Sequence, residues 1–144
     1  MHVQAILQTK GSRVVSTRAG ETIAATARLL AHHNIGAAVV LDESGKLIGI
    51  ISERDVVRGL AANGPTVAEQ TVADHMSRAV LSCRPMDTIQ DIMAVMTARR
   101  VRHLPVLEDG SLLGIVSIGD VVKHRLDEAA LEVDSLRQYV LAGR

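Results

Sequence analysis

The 144-residue chain has no phenylalanine and no tryptophan, and a single tyrosine, Tyr139. Its core must therefore be aliphatic. A flat ligand would lie between aliphatic side chains and backbone, not on an aromatic platform. The one cysteine, Cys83, excludes an internal disulfide and a cysteine-cluster metal site, and fits a cytoplasmic setting. An excess of one charge is also missing, since 16 Lys and Arg balance 16 Asp and Glu. No overall basic field attracts nucleic acid or an anionic membrane. No uncharged apolar run approaches the ~18 residues of a membrane helix. The opening residues, Met1 to Gln8, lack the charged and then apolar regions of a signal peptide.

What the chain does have is a repeat. Thr22-Ile23 opens a segment that closes at Gly49-Ile50-Ile51-Ser52-Glu53-Arg54-Asp55-Val56-Val57. Thr88-Ile89 opens a second that closes at Gly114-Ile115-Val116-Ser117-Ile118-Gly119-Asp120-Val121-Val122. The offset is 66 residues up to Leu41/Leu107 and 65 from Gly49/Gly114, so the second copy is one residue shorter at its turn. A duplicated unit with the same polar signature in each copy predicts a paired fold with paired sites.

Each copy reads as helix, strand, strand, helix. Ile23, Ala27, Leu30 and Ala31 recur at helical spacing after Thr22, and Ile89, Ile92, Met93 and Met96 after Thr88. Thr88 with Asp91 fits a capping box. Ala37–Leu41 and Leu104–Leu107 read as short buried strands. Asp42-Glu43-Ser44-Gly45 and Glu108-Asp109-Gly110 are turns. Residues 46–51 and 112–116 are the return strands. Short β-prone pieces, Val14-Val15-Ser16 and Val80-Leu81-Ser82, precede the copies. Ala61-Ala62-Asn63-Gly64-Pro65 breaks structure and marks the link between them. Residues 127–142 read as a closing helix with Ala129, Val133, Leu136 and Val140 on one face, as a cap or a dimer contact.

The predicted organisation is thus repeat one over 1–65, repeat two over 66–126 and a C-terminal helix over 127–144. The fold class is α/β (α+β), each repeat β-α-β-β-α. A copy of about 60 residues has a marginal core alone. Two copies packed sheet to sheet bury the aliphatic faces that each exposes, so the pair is the expected folding unit.

These residues resemble a known family. Thr-Ile at a helix start, a hairpin, and Gly-h-h-Ser-x-x-Asp-Val-Val, all twice (h is an apolar residue), look like a tandem pair of CBS domains, a Bateman module. The resemblance covers residues 3 to 126, and Arg102-His103-Leu104-Pro105-Val106 strengthens it. It implies a pseudo-two-fold pair that binds adenine nucleotides such as AMP, ATP or NAD in clefts between the copies. It also implies a regulatory role toward an unknown protein partner, a homodimer, and no required cofactor. Exposed aliphatic helix faces such as Val56, Val57 and Leu60, or Val121 and Val122, suit a dimer or internal packing.

The resemblance makes Asp55 and Asp120 acceptors for a ribose cis-diol, with Ser52 and Ser117 beside them. The residues alone also fit a second role, because Ser at a helix start with an acid three residues on is a capping box. Both roles remain open, since a capped helix start also presents free N–H groups toward a cleft. Arg102 and His103 are the expected phosphate contacts, with Arg54 and Lys10 as further cations. At the positions matching Arg102 and His103, copy one has Gly36 and Ala37, so two unequal clefts are expected. Adenine would meet backbone and aliphatic walls drawn from Val14, Ser77, Val80, Ile51, Val116 and Pro105. No Walker loop, G-x-G-x-x-G, nucleophile elbow or zinc-helix histidine spacing is present. The expectation is a cytoplasmic binding module and not an enzyme. The alternative is a structural or interaction protein with vestigial clefts.

Overall fold

The computed structural model describes residues 1–143. Arg144, part of the expected C-terminal segment, lies outside the described residues. The chain opens with helix α1 (Val3–Lys10), which the repeat did not announce. Copy one follows as β1 (Ser16–Thr17), α2 (Ile23–His33), β2 (Ala37–Leu41), β3 (Leu47–Ser52) and α3 (Glu53–Asn63). A 3-10 turn over Gly64–Glu69 and the short α4 (Val72–His75) lead to copy two. Copy two comprises α5 (Ile89–Arg99), β4 (His103–Glu108), β5 (Ser111–Ser117) and α6 (Ile118–Ala142).

In copy one β1 pairs parallel with β2, and β2 pairs antiparallel with β3. In copy two β4 and β5 form the matching antiparallel pair. Both hairpins carry a register shift at the same place, after Val40 and after Val106. The turns differ, which accounts for the missing residue. In copy one Asp42 Oδ1 accepts the N–H groups of Ser44 and Lys46, each at 2.9 Å, and ties up a longer loop. In copy two only Asp109 and Gly110 lie between the strands, with φ 50° and 79°. Two positive φ values in a two-residue loop match the right-handed twist of the flanking strands.

Four sequence expectations shift. The first β-piece sits at Ser16–Thr17, not at Val14–Ser16. The second is a single parallel bridge, Cys83 to Val106, and not a strand over 80–82. A single residue makes the pairing there: the Cys83 N–H donates to Pro105 O at 2.9 Å, and its carbonyl accepts the Leu107 N–H at 2.8 Å. The closing helix does not begin near 127. It continues unbroken from the Ser117 cap, because 118–142 contains no proline and its only glycine, Gly119, sits in the first turn. Thr88 caps α5 through the Asp91 N–H at 3.1 Å, a one-way cap without the return bond of a full box.

Two hydrophobic cores form, and each borrows a segment from the other copy's leader. Copy one packs Ile23, Leu30, Ala38, Val40 and Ile51 with Val67, Val72 and Met76. Copy two packs Ile89, Ile92, Met96, Leu104, Val106, Val116 and Val121 with Val3, Ile6 and Cys83. The helix that precedes copy one therefore closes copy two, and the helix that precedes copy two closes copy one. Matching backbone bridges fix this exchange: His2 with Thr88, and Thr22 with Thr71. The boundary at 65/66 follows the repeat in sequence; the cores cross it. Val121, one of the aliphatic residues considered for a dimer face, lies fully inside the second core.

Candidate functional site

The site grows from the junctions where a strand turns into a helix. Ser52 is the last residue of β3, in extended conformation (φ −119°, ψ 164°), and α3 starts directly after it. Its Oγ accepts the Asp55 N–H at 3.3 Å. The Asp55 Oδ2 accepts the Ser52 N–H at 2.8 Å and the Ser52 hydroxyl at 3.1 Å. The capping box is thus complete. It uses one carboxylate oxygen only. Oδ1 of Asp55 has no hydrogen-bond partner among the described residues and belongs to a half-buried side chain that lines a cleft. Both expected roles of this Asp coexist: one oxygen caps, the other is available.

That cleft lies between the copies and measures about 880 Å³. Small-ligand sites typically run from about 300 to 1,000 Å³. Copy one contributes Gly36, Ala37, Ile50, Ser52, Glu53, Arg54, Asp55 and Arg58. Copy two contributes Met96, Thr97, Arg99, Arg100, Val101, Arg102, His103 and Ile118, and Ser77 joins from the connection. Against two carboxylates stand five guanidinium groups and one imidazole. A dianionic group is the chemistry this wall favours, since Arg presents a fork of donors to phosphate oxygens.

His103 opens β4 and is half-buried. Burial pushes its pKa below the ordinary 6.5; Glu53 and Asp120 pull it up, and Lys10 and Arg102 push it down. The ring is therefore neutral at pH 7 without a ligand. Its place depends on Gly36. A Cβ at residue 36 would stand 3.2 Å from the His103 Cε1 and 3.2 Å from Glu53 Oε1. The position without a cation in copy one is thus also where the His103 ring and the Glu53 carboxylate pack close, so a side chain there would press on both. Arg54 Nη1 donates to the Arg100 carbonyl at 3.1 Å and ties copy one to the C-terminus of α5. Arg100 itself caps α5 in the left-handed region at φ 54°, where copy one has Asn34. Asn tolerates that region better than Arg.

The second signature has the same box and different surroundings. Ser117 Oγ accepts the Asp120 N–H at 3.1 Å, and Asp120 Oδ2 accepts the Ser117 N–H at 2.9 Å. Here Lys10, the last residue of α1, reaches in. Its Nζ lies 2.6 Å from Asp120 Oδ2 and donates to the Ile115 carbonyl at 2.9 Å. Burial raises the Asp120 pKa, but the Lys10 hydrogen bond, the Ser117 N–H and the Lys10 charge together hold it below its ordinary value. Lys10, expected as a ligand cation near the first β-piece, is thus the internal partner of Asp120.

Of the expected residues, the structure gathers Ser52, Asp55, Arg54, Ser77, Arg102 and His103 around one cleft. Lys10, Ser117 and Asp120 form a separate cluster. Val80 is half-buried and does not line the cleft; Pro105 is buried. Val14 does not line it either, and Ile51 and Val116 point into the two cores. The strand period of two explains the last pair. If Ile51 faces its own core, Ile50 faces the cleft. Sequence reasoning missed Arg58, although it lies one turn after Arg54 on the same helix face. Arg99 and Arg100 are exposed, and they also line the cleft.

Comparison with known proteins agrees with this geometry. A family model described as the CBS domain matches residues 7–62 and 72–127. A mitochondrial CBS domain-containing protein of Arabidopsis thaliana is 34% identical over 127 residues, which cover 85% of this chain and 62% of the relative. The chain thus spans less than two thirds of that relative's length. A crystal structure of a CBS-domain containing protein from Agrobacterium tumefaciens matches with a TM-score of 0.85 at 42% identity, over 86% of this chain and 92% of the other. The CBS domain pair of protein MJ0100, solved in complex with 5′-methylthioadenosine and S-adenosyl-L-methionine, matches with a TM-score of 0.79 at 26% identity, over 89% of this chain and 98% of that one. The chain therefore belongs to the CBS-domain family, as a tandem pair with one CBS domain in each copy of its repeat.

Proposed function

We propose that this CBS pair is a regulatory module that binds an adenine nucleotide in the cleft around Asp55 and reports it to a protein partner by a change in how the copies sit together. The observation that carries the reading is the free Oδ1 of Asp55, on a side chain that shares one cleft with five arginines and His103. Asp55 would accept the ribose hydroxyls. Arg102, His103 and Arg54 would meet phosphate, and Ile50 and Ser77 the base. A related CBS pair solved with two adenosine-containing ligands supports the ligand class. The wall of cations favours AMP, ATP or NAD over an uncharged adenosine derivative. Because both copies line the cleft, a ligand that binds one arrangement better shifts the pair toward it.

The reading assigns the chain no reaction. Cys83 is buried and its thiol is pushed up to about 12 by burial and by the charge of Asp87, which makes it a poor nucleophile. No helix among the described residues is long and apolar enough to cross a membrane. For the Asp120 side, one observation favours the alternative of a vestigial cleft: Lys10 already sits on its carboxylate.

Calorimetric titration with AMP, ATP, NAD and S-adenosylmethionine tests the proposal. The expected result is binding of a phosphate-bearing ligand, with Asp55→Ala weakening it roughly tenfold or more. A hydrogen bond to a charged group is worth about 1.5–3 kcal/mol, and 1.4 kcal/mol is a factor of ten. Failure of all four to bind at millimolar concentration overturns the sensor reading, and turnover of a nucleotide in the same samples overturns the non-catalytic one. If Asp55→Ala unfolds the chain but leaves affinity per folded molecule unchanged, Asp55 is a cap alone.

A further inference from the structure

The cleft holds more positive charge than a single phosphate uses. Arg54 and Arg58 come from α3, Arg99 and Arg100 from the end of α5, and Arg102 from just before β4. None of the five makes an ion pair among the described residues. The carboxylates on the same wall are Glu53 and Asp55. Five guanidinium groups against two carboxylates leave three positive charges in one place, on a chain whose formal net charge is zero.

Arg58 is the member of this set with no local reason to be there. Arg99 and Arg100 sit at the C-terminus of α5, where a cation suits the helix dipole. Arg54 bonds the Arg100 carbonyl. Arg58 lies in the middle of α3, one turn after Arg54, and like charges four residues apart weaken a helix. Asp55, three residues before it, makes no ion pair with it. Copy two does not repeat the pair: Gly119 and Lys123 stand at the matching positions, and α6 forms without it.

We propose that Arg58 makes the cleft selective for a nucleotide with a chain of phosphates, a nucleoside di- or triphosphate, over a monophosphate. The inference rests on the reading that Asp55 holds the ribose. A monophosphate brings about two negative charges at pH 7, and each further phosphate about one more, so the three left over match a chain. Arg58 follows Asp55 on the same face of α3, about 4.5 Å along the axis at 1.5 Å per residue. With the first phosphate at Arg102 and His103, the fork of Arg58 is left for the later ones.

The test is calorimetric titration of the full chain with AMP, ADP, ATP and inorganic tripolyphosphate, with EDTA present so that no magnesium neutralises the chain. ATP is expected to bind about tenfold or more tighter than AMP, with ADP between them. Arg58→Ala should remove most of that advantage and leave AMP nearly unchanged. Arg28→Ala, which removes an exposed cation of α2 away from the cleft, should leave the ratio as it is. Without ligand, Arg58→Ala should melt no lower than wild type, because it relieves the repulsion from Arg54. AMP binding as tightly as ATP overturns this proposal alone, whereas failure of every nucleotide to bind overturns the ligand reading with it. Equal weakening of AMP and ATP by Arg58→Ala also overturns it, and so does an equal effect of Arg28→Ala, which would reduce the preference to net charge. Tripolyphosphate bound as tightly as ATP would make the arginines a general anion site, and a lower Tm for Arg58→Ala would make the residue structural.

Discussion

Ser52 and Asp55 do two things with three polar atoms. The Ser hydroxyl and one carboxylate oxygen close the start of α3, and the other oxygen is left without a partner on a side chain that lines the cleft. Ser117 and Asp120 close α6 the same way, and Lys10 then pairs with the same Oδ2 that accepts the cap. Identical local chemistry thus gives one carboxylate with no cation bonded to it and one paired with a lysine. His103 is the residue most sensitive to what enters the cleft. Its pKa is lowered by burial, so a nearby phosphate should raise it. The sign for stability follows. A histidine that binds its proton less readily when folded costs stability as pH falls below its unfolded value of 6.5. NMR titration of the His103 ring should give a midpoint below 6.5 that rises with AMP and not with adenosine. His103→Ala should weaken AMP more than adenosine. Equal loss for both ligands would remove His103 from the phosphate site.

Among the elements, the leader helices decide how the strands sit. Gly49 on β3 lies under Met76, and Gly114 on β5 lies under Leu7. The two glycines match in the repeat, and so do the exchanged segments that cover them. Their tolerance differs. A Cβ at 49 would stand 2.8 Å from Met76 Sδ and 3.0 Å from the Ser77 backbone carbonyl. At 114 it would stand 2.7 Å from the tip of Leu7, with no backbone atom among its nearest neighbours. A side-chain tip can rotate away; a paired backbone cannot without moving the cleft wall at Ser77. Gly49→Ala should therefore cost about 1–3 kcal/mol in chemical denaturation, and Gly114→Ala clearly less. Equal costs would mean that the Ser77 segment yields as easily as the Leu7 side chain.

Over the whole molecule, each core is incomplete without residues from the other copy's leader. Removing Val3 and Ile6 would open the second core, and removing Val67, Val72 and Met76 the first. The copies should therefore unfold together, in one transition seen alike by circular dichroism and by calorimetry. A ligand held by both copies stabilises that whole unit. At a hundredfold excess over Kd the gain is about 2.7 kcal/mol. At ~2–4 °C per kcal/mol for a chain of this size, Tm should rise by roughly 5–10 °C. Two separate transitions, with only one moved by ligand, would show that the copies are independent.

The sequence by itself determined the local structure: the repeat, the two hairpins, the helix starts at Thr22, Ser52, Thr88 and Ser117, and the Ser-x-x-Asp boxes. Those follow from spacing, turn formers and caps, which act over a few residues. It also carried the family, because the signature occurs twice. The tertiary structure decided what lies far apart in sequence. Lys10 reaches Asp120 across 110 residues, and Arg54 reaches Arg100 across 46. Which face of β3 meets the cleft followed from which side the core took, so Ile50 lines it and Ile51 does not. Gly36 was legible as a missing cation; only packing against His103 gave it a role. Local rules fix how each piece folds, but a site between two copies is fixed by the contact between them, and that contact is set by burial over the whole chain.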